Sequence, residues 1–589
     1  MSTASDAVAR GTATMAYTPG VLPVYIFPFT PVEYFGTANL HEFQVLMYRP
    51  LYWYGRDGEP EVDHDLSLAE PPEWSADGLT VTITLKPWWW SNGEPVCADN
   101  VMFWMHLLLE CKADFGGYVP GYFPDNLTSF RKVAENQVSF TFDKAYSKMW
   151  VLMNQLSSIT PLPRAWDRTA DGPADCVHDR SHARAVWAYL REQNADRRTW
   201  ATNPLWGVVS GPWRLETCTL DGVTGEVTFV PNERYSGPNR PRLDRFRQVA
   251  TASNDAEYET LAGDPGAIQV GFLPFDRVVE PTTDPTKGGP NPLDEHYTLV
   301  PHIAFKINYF PMNFNNPTVA GAIIRQLYFR QALQSVLDQD AAIAEVYKGY
   351  GYPTYGPVPM LPDSELISPA HRSNRYPFDI DRARRYLTDN GWDVTTTPAV
   401  CVDPDRAGEG IPAGTELRFL LRYTEGYPGL TWMMAKLRDD AALAGIALDL
   451  EEVDASVIVV EDTTCVPGPD SPCLWQFSNW NGGWIYGPGF HPTGEFLYQS
   501  GSNVNFGSYA DPRADELIAR SVTSDDPADF HAYQDYIAEQ VPVVWVPNFP
   551  VRLLEVARDL RGVEPINPYG LLTPENWYYA DPEDATCPA

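Results

Sequence analysis

Residues 478–498, SNWNGGWIYGPGFHPTGEFLY, interleave tryptophan, tyrosine and phenylalanine with glycine, proline and asparagine. A core strand has no use for Gly482, Gly483, Gly487 and Gly489, because each costs backbone entropy and offers no side chain to pack. A flexible linker has no use for Trp480, Trp484 and Tyr486. Flat apolar walls beside exposed backbone suit a loop that lines a ligand. In that reading Trp480, Trp484 and Tyr486 supply walls, while Asn481 and the open backbone at Gly483 supply hydrogen bonds. The competing reading is a packed structural loop.

Motifs that would make the chain a catalyst are missing from the sequence. It has no GxxxxGK[ST] phosphate loop, no HExxH, no GxSxG elbow and no GxGxxG after a strand. Carboxylates are so abundant that any two could be named an acid–base pair, which carries no weight without geometry. His178 and His182 have i, i+4 spacing, but no third ligand follows in register, so solvated surface is expected. The eight cysteines, Cys97, Cys111, Cys176, Cys218, Cys401, Cys465, Cys473 and Cys587, form no zinc pattern. No metal and no cofactor is expected. Cys465 and Cys473 bracket the turn-rich VPGPDSP and are expected to pair. Cys97 and Cys111 flank a predicted helix that would hold their Cα atoms roughly 20 Å apart, beyond disulfide reach.

These residues need a large scaffold. A chain of 589 residues exceeds the ~250–300 at which a single core stops growing, so two or three lobes are expected. The formal charge of −34 disfavours nucleic acid and anionic lipid as partners. No run approaches the ~18 apolar residues of a membrane span. The opening MSTASDAVAR shows neither the basic nor the apolar stretch of a secretory signal.

Along the chain, residues 41–48 read as a short helix and 79–85 as an alternating strand. The triplet Trp88, Trp89 and Trp90 cannot form one stacking platform on a strand, since neighbours point to opposite faces; core packing of at least one is expected. Asp99 is read as the N-cap of the helix that follows. Residues 211–235 read as a hairpin turning at Asp221-Gly222 or Thr224-Gly225. Beyond Asn316-Pro317 the pattern becomes helical: 323–338, then helices capped by Asp340 and Asp381, then 430–443 leading into strand 446–453. Asp511-Pro512 opens another helix, and 541–548 is β-like.

The order of segments resembles the family 5 extracellular solute-binding proteins of ABC importers, the oligopeptide, dipeptide and nickel-binding type. LAEPPEWSADGLTVTITLKPWWWSNGEPVCADNVMF is similar to the family's Trp-Ser-x-Gly-x-Pro-Val signature leading into Ala-Asp-x-Val and a helix. GPWRLETCTLDGVTGEVTFVPNERY resembles its hairpin ending in Asn-x-x-Tyr, and Arg330-Gln331-Ala332-Leu333 with Asp338 resembles its next helix. PFDIDRARRYLTDNGW resembles a further helix.

The resemblance implies an α/β, periplasmic-binding-protein type II-like fold, a three-lobe hinged trap with mixed sheets. Lobe I would comprise residues 1–55, 203–308 and 541–589, with 56–202 inserted as lobe II and 309–540 forming lobe III. It implies a monomeric, non-enzymatic protein that captures a peptide or peptide-like solute between lobes I and III and hands it to a membrane permease. It further implies export and lipid anchoring to the outer face of the cell membrane. An oligosaccharide ligand, favoured by 19 tryptophans, is the alternative; an extracellular hydrolase is a second. A metal-chelate ligand would involve His491. The 478–498 loop matches the family's ligand-contact segment, and Tyr34 to Asn39 (YFGTAN) matches its first-lobe contact loop, which adds Phe35 and Asn39 to the candidates. Where the family's loop carries an Asp that pairs with a peptide ammonium, residues 487–489 here hold no acid. Glu495 is the nearest candidate for that acid; the alternative is that it simply faces solvent.

Overall fold

The computed structural model describes residues 11–222, 224–469, 471–487 and 491–580. Cys587 and residues 488–490, part of the window without the acid, lie outside the described residues. A seven-stranded mixed sheet gathers three distant parts of the chain. Strand Thr12–Ala16 lies within it, parallel to Arg245–Val249 on one side and touching Val270–Phe272 on the other. Trp213–Cys218 and Glu226–Pro231 extend the first side as the expected hairpin. Arg552–Ala557 pairs antiparallel with both Val270–Phe272 and Tyr297–His302. Its RLLEVA sequence is buried at five consecutive positions, as a strand covered on both faces requires.

Residues 73–142 contribute a four-stranded antiparallel sheet of Glu73–Trp74, Thr80–Thr84, Gln137–Phe142 and Leu127–Ala134. Helix Ala98–Cys111 packs on it. Trp88 and Trp90 are buried at 3% and 0% exposure while Trp89 is 48% exposed, the alternation that strand geometry dictates. The helix is capped by Cys97 rather than Asp99. Asn100 closes a capping box with the Cys97 backbone, which frees Asp99 to pair with Lys132 at 2.9 Å and with Arg164.

In the third region Arg418–Thr424 is flanked by Ala447–Val453 and Phe477–Asn479, both parallel to it. Helix Pro428–Leu443 makes the crossover that parallel pairing demands. The helix expected over 323–338 is instead two, Val319–Ile324 and Leu327–Ser335. The buried Arg330 guanidinium explains the break, since it donates to the freed carbonyls of Ile324 at 3.0 Å and Arg325 at 2.7 Å. Two caps also fall earlier than expected. Asp338 accepts from the Ala341 amide and Asp379 from the Arg382 amide, in place of Asp340 and Asp381. Asp511 caps Pro512–Thr523 as read, accepting from Arg513 and Ala514 amides.

The Cys465–Cys473 disulfide is formed, and Cys97 and Cys111 are free. His178 and His182 are exposed beside Asp175 and Asp179. Two short ladders join the third region to the rest: Lys306–Ile307 with Trp484–Ile485, and Tyr309–Pro311 with Val543–Trp545. No helix among the described residues is long and apolar enough to cross a membrane.

Candidate functional site

The aromatic loop begins where strand Phe477–Asn479 leaves its sheet. Asn479 turns the chain by accepting the Asn481 amide at 2.9 Å, and Asn481 takes a left-handed φ of 62°. Such a conformation suits asparagine better than most side chains. Trp480 folds back, donating its indole N–H to the Gly483 carbonyl at 3.2 Å. Its ring stands edge-on to Tyr309 and Phe506, each at 5.5 Å. Gly483 has φ +62° against the neighbouring strand. Trp484 follows opposite Ile307 and is half-buried.

Tyr486 is 3% exposed. Its hydroxyl donates to the Pro357 carbonyl at 2.5 Å and its ring lies 5.8 Å from Phe305. His491 is also buried, stacked on Phe530 at 5.4 Å, and burial lowers its pKa to about 4.

Of the two readings of Glu495, the solvent-facing one is overturned. It does not face solvent but is 1% exposed. Its Oε1 accepts from Trp150 Nε1 and Asn154 Nδ2, both at 2.6 Å, and its Oε2 from the Thr493 hydroxyl at 2.5 Å. Burial raises its pKa, partly offset by these donors.

The first contact loop divides in its duties. Phe35 is half-buried and lies edge-on to Phe115 at 6.2 Å. Asn39 is 5% exposed and holds the loop together. Its Oδ1 accepts the Val24 and Tyr25 amides at 2.7 and 3.0 Å, and its Nδ2 donates to the Tyr34 carbonyl at 2.7 Å.

Phe35 borders a cavity of about 100 Å³ that the sequence motifs did not reveal. Its apolar walls include Phe35, Tyr48 and Phe115; His41, Gln44 and Asn154 are among its polar ones. None of its lining residues is Asp, Glu, Lys or Arg. His41 is neutral at ordinary pH, since burial lowers its pKa to about 4, and its Nδ1 has no hydrogen-bond partner. Gln44 is fixed by donating to the Tyr25 carbonyl at 3.0 Å and to Thr30 Oγ1 at 3.1 Å.

Two widened, π-type helical turns carry these polar groups. Leu40–Gln44 presents His41 and Gln44, and Val151–Gln155 presents Asn154. Such turns re-aim side chains relative to an α-helix and recur at functional sites. A second, smaller cavity adjoins the first, with Gly117, Asn154 and Ser158 bordering both, and Glu495 and Phe496 in its far wall. Of the sequence candidates, Phe35 lines the main cavity, and Asn39 and Tyr486 are committed to internal hydrogen bonds. Trp480, Asn481, Gly483 and Trp484 form the turn and ladder beside Ile307.

The only potential metal-binding cluster among the described residues is Cys97, Asp99 and Glu135. Asp99 is already neutralised there by Lys132 and Arg164. Within the cavity, Ser157 donates to the Met153 carbonyl and Ser158 to the Gln155 carbonyl. Those hydroxyls are spent on their own helix.

Comparison with known proteins decides the family. Residues 66–504 match the family described as bacterial extracellular solute-binding proteins, family 5. The chain belongs to this family. It is 23% identical over 502 residues to protein XP55 of Streptomyces lividans, spanning 81% of this chain and 76% of that one. The fold is shared with solved family 5 structures. The oligopeptide-binding AppA of Bacillus subtilis, solved with a nonapeptide, superposes with a TM-score of 0.70 at 18% identity, covering 97% of this chain and 99% of AppA. NikZ of Campylobacter jejuni, solved with Ni(L-His), gives 0.67 at 16% identity, covering 96% and 99%. The α/β trap fold and the solute-binding class therefore stand, and with them a small-molecule ligand and a membrane permease as partners.

Proposed function

We propose that this protein is the substrate-binding component of an ABC importer and captures a peptide or peptide-like solute in the paired cavities beside Phe35. The observation that carries the reading is the main cavity's lining: aromatic faces alternate with neutral hydrogen-bonding groups, and no charge intervenes. A peptide main chain offers amide donors and acceptors at short intervals, and neutral partners satisfy them without the desolvation cost of buried ions. Lobe I (1–55, 203–308, 541–589) and the inserted lobe II (56–202) supply the main cavity, and lobe III (309–540) adds Glu495 and Phe496. The two ladders at Lys306–Ile307 and Tyr309–Pro311 serve as the hinge. Solute bridging these parts stabilises the closed form by its differential contacts, and the permease reads closure. The protein acts as a monomer, anchored by lipid at the outer face of the membrane.

The oligosaccharide alternative drew on tryptophan content. Ten of those tryptophans, among them Trp53, Trp90 and Trp104, are essentially fully buried in the core, so most of that content is unavailable for stacking on sugars. Against the hydrolase alternative, the two serine hydroxyls on the main cavity, Ser157 and Ser158, donate to backbone carbonyls rather than to a base. Intrinsic tryptophan fluorescence against panels of short peptides and of cello- and xylo-oligosaccharides tests the reading. Saturable response to peptides supports it; response to sugars alone overturns it.

A further inference from the structure

Residues 122–154 of lobe II meet residues 491–525 of lobe III along a seam of hydrogen bonds. Ser147 donates its backbone amide to the Val522 carbonyl at 2.9 Å. The Lys148 amide donates to Asp525 Oδ1 at 2.8 Å, and the Tyr122 hydroxyl to Gln499 Oε1 at 2.8 Å. Asn154 engages lobe III with both ends of its amide, accepting from the His491 N–H and donating to Glu495 Oε1 at 2.6 Å. Trp150 donates its indole N–H to the same oxygen at 2.6 Å. Buried at the centre, Glu495 has only neutral donors: that indole, that amide, the Thr493 hydroxyl and its own backbone amide. Elsewhere buried carboxylates find cations, as Glu42 does with Arg552 and Glu575 with Arg49.

This arrangement suits a protonated carboxyl. Glu495 Oε2 lies 2.5 Å from Thr493 Oγ1, which lies 3.2 Å from the His491 carbonyl oxygen. A protonated Oε2 donates to Thr493, Thr493 donates in turn to that carbonyl, and Oε1 still accepts from Trp150 and Asn154. All of these bonds are then made without a buried charge.

We propose that this seam is a latch between lobes II and III that engages when the Glu495 carboxyl carries its proton, so that closing the trap takes up one proton and is favoured in acid. The inference rests on the lobes and hinge proposed above and adds a proton to what drives closure. Opening returns the carboxyl to water and to its ordinary value of 4.5, whereas burial in the seam raises it. The closed form therefore binds a proton that the open form releases. Its advantage is full below pH 4.5 and is lost as pH rises through the raised value. The other groups around Glu495 stay neutral across that interval. Tyr122 and Tyr146 of lobe II and Tyr486 and Tyr533 of lobe III are all pushed above 10 by burial. Burial lowers His491 to about 4. At the rim Asp143, Asp515 and Asp525 accept from Tyr146, Ser500 and Lys148, and the Lys148 side chain is exposed.

Small-angle X-ray scattering of the full chain without solute, at about pH 5 and about pH 8, tests the inference. Wild type is expected to be compact at the lower pH and to gain radius of gyration at the higher. Glu495→Gln preserves the neutral bonding pattern, with its amide oxygen in place of Oε1 and its amide N–H in place of the carboxyl proton. It should stay compact at both. Trp150→Phe removes the indole donor and should be expanded at both; it serves if Glu495→Gln does not fold. A wild-type radius that does not change with pH overturns the latch. So does an expansion of Glu495→Gln equal to that of wild type, or a Trp150→Phe protein as compact as wild type at the lower pH. No solute enters this experiment, so its failure is distinct from failure of the peptide reading, which the fluorescence panels decide.

Discussion

Gly483 meets Ile307 so closely that a Cβ on the glycine would lie 2.1 Å from the Ile307 carbonyl oxygen. The same glycine has a left-handed φ of +62°. Together these fix where the aromatic loop joins the crossing strand Lys306–Ile307. Gly483→Ala must therefore move backbone or break the Ile307–Trp484 pairing. A loss of ~2 kcal/mol in urea unfolding is expected, with weaker ligand binding; an unchanged midpoint contradicts the packing described.

Trp480 and Trp484 should respond differently although four residues apart. Trp480 is wedged against Tyr309 and Phe506, so Trp480→Ala is expected to cost about 2 kcal/mol of stability, below the ~3–5 of a fully buried tryptophan. Trp484 is half-buried in the ladder opposite Ile307 and borders neither cavity, so Trp484→Ala is expected to cost less stability than Trp480→Ala and to leave ligand affinity within about twofold of wild type. Calorimetry on both variants checks the pair.

Burial raises the Glu257 carboxyl from 4.5 to about 8 and Glu555 to about 7. The native state thus binds protons that the unfolded chain releases above pH 4.5, so their contribution is full below that value and is lost as pH rises through about 8. Buried His302, lowered to about 3, works in the opposite direction, costing stability as pH falls below 6.5. The histidines and Lys306 act equally in wild type and variant, so the comparison isolates Glu257: Glu257→Gln should lose less stability per pH unit than wild type between about pH 5 and pH 8. An unchanged slope in the variant contradicts the assignment.

Lys306 sits at the crossing with its ammonium 3.7 Å from the Phe549 ring centroid and is only 3% exposed. Burial lowers its pKa from 10.5 to about 7. The native state here binds fewer protons than the unfolded chain, so stability should rise with pH across that interval. Lys306→Met is expected to remove the rise and to stabilise the protein by about 1 kcal/mol near pH 7, measured by denaturant titration.

Local chemistry made much of this fold legible in the sequence. Asp511-Pro512 begins its helix, Cys465 pairs with Cys473, and the GPW segment forms its hairpin. Caps slipped by two residues where two acids compete, as Asp379 does with Asp381, because only backbone geometry selects between them. The loop's glycines read as open backbone for a ligand, whereas Gly483 sits in a tight approach to Ile307; aromatic character did not separate a wall from a packed ring, and Tyr486 is packed. The cavity itself was hidden. Gln44 and Asn154 ride on widened turns with no sequence signature, and Glu495 is buried by Trp150, 345 residues away. Contacts that distant leave no pattern in a single chain.

Whether the paired cavities hold the solute is decided by a crystal structure of the protein with tetra-alanine. Peptide density is expected in the cavity between Phe35, Phe115 and Asn154. Density confined to another surface, or empty cavities at saturating peptide, would contradict it.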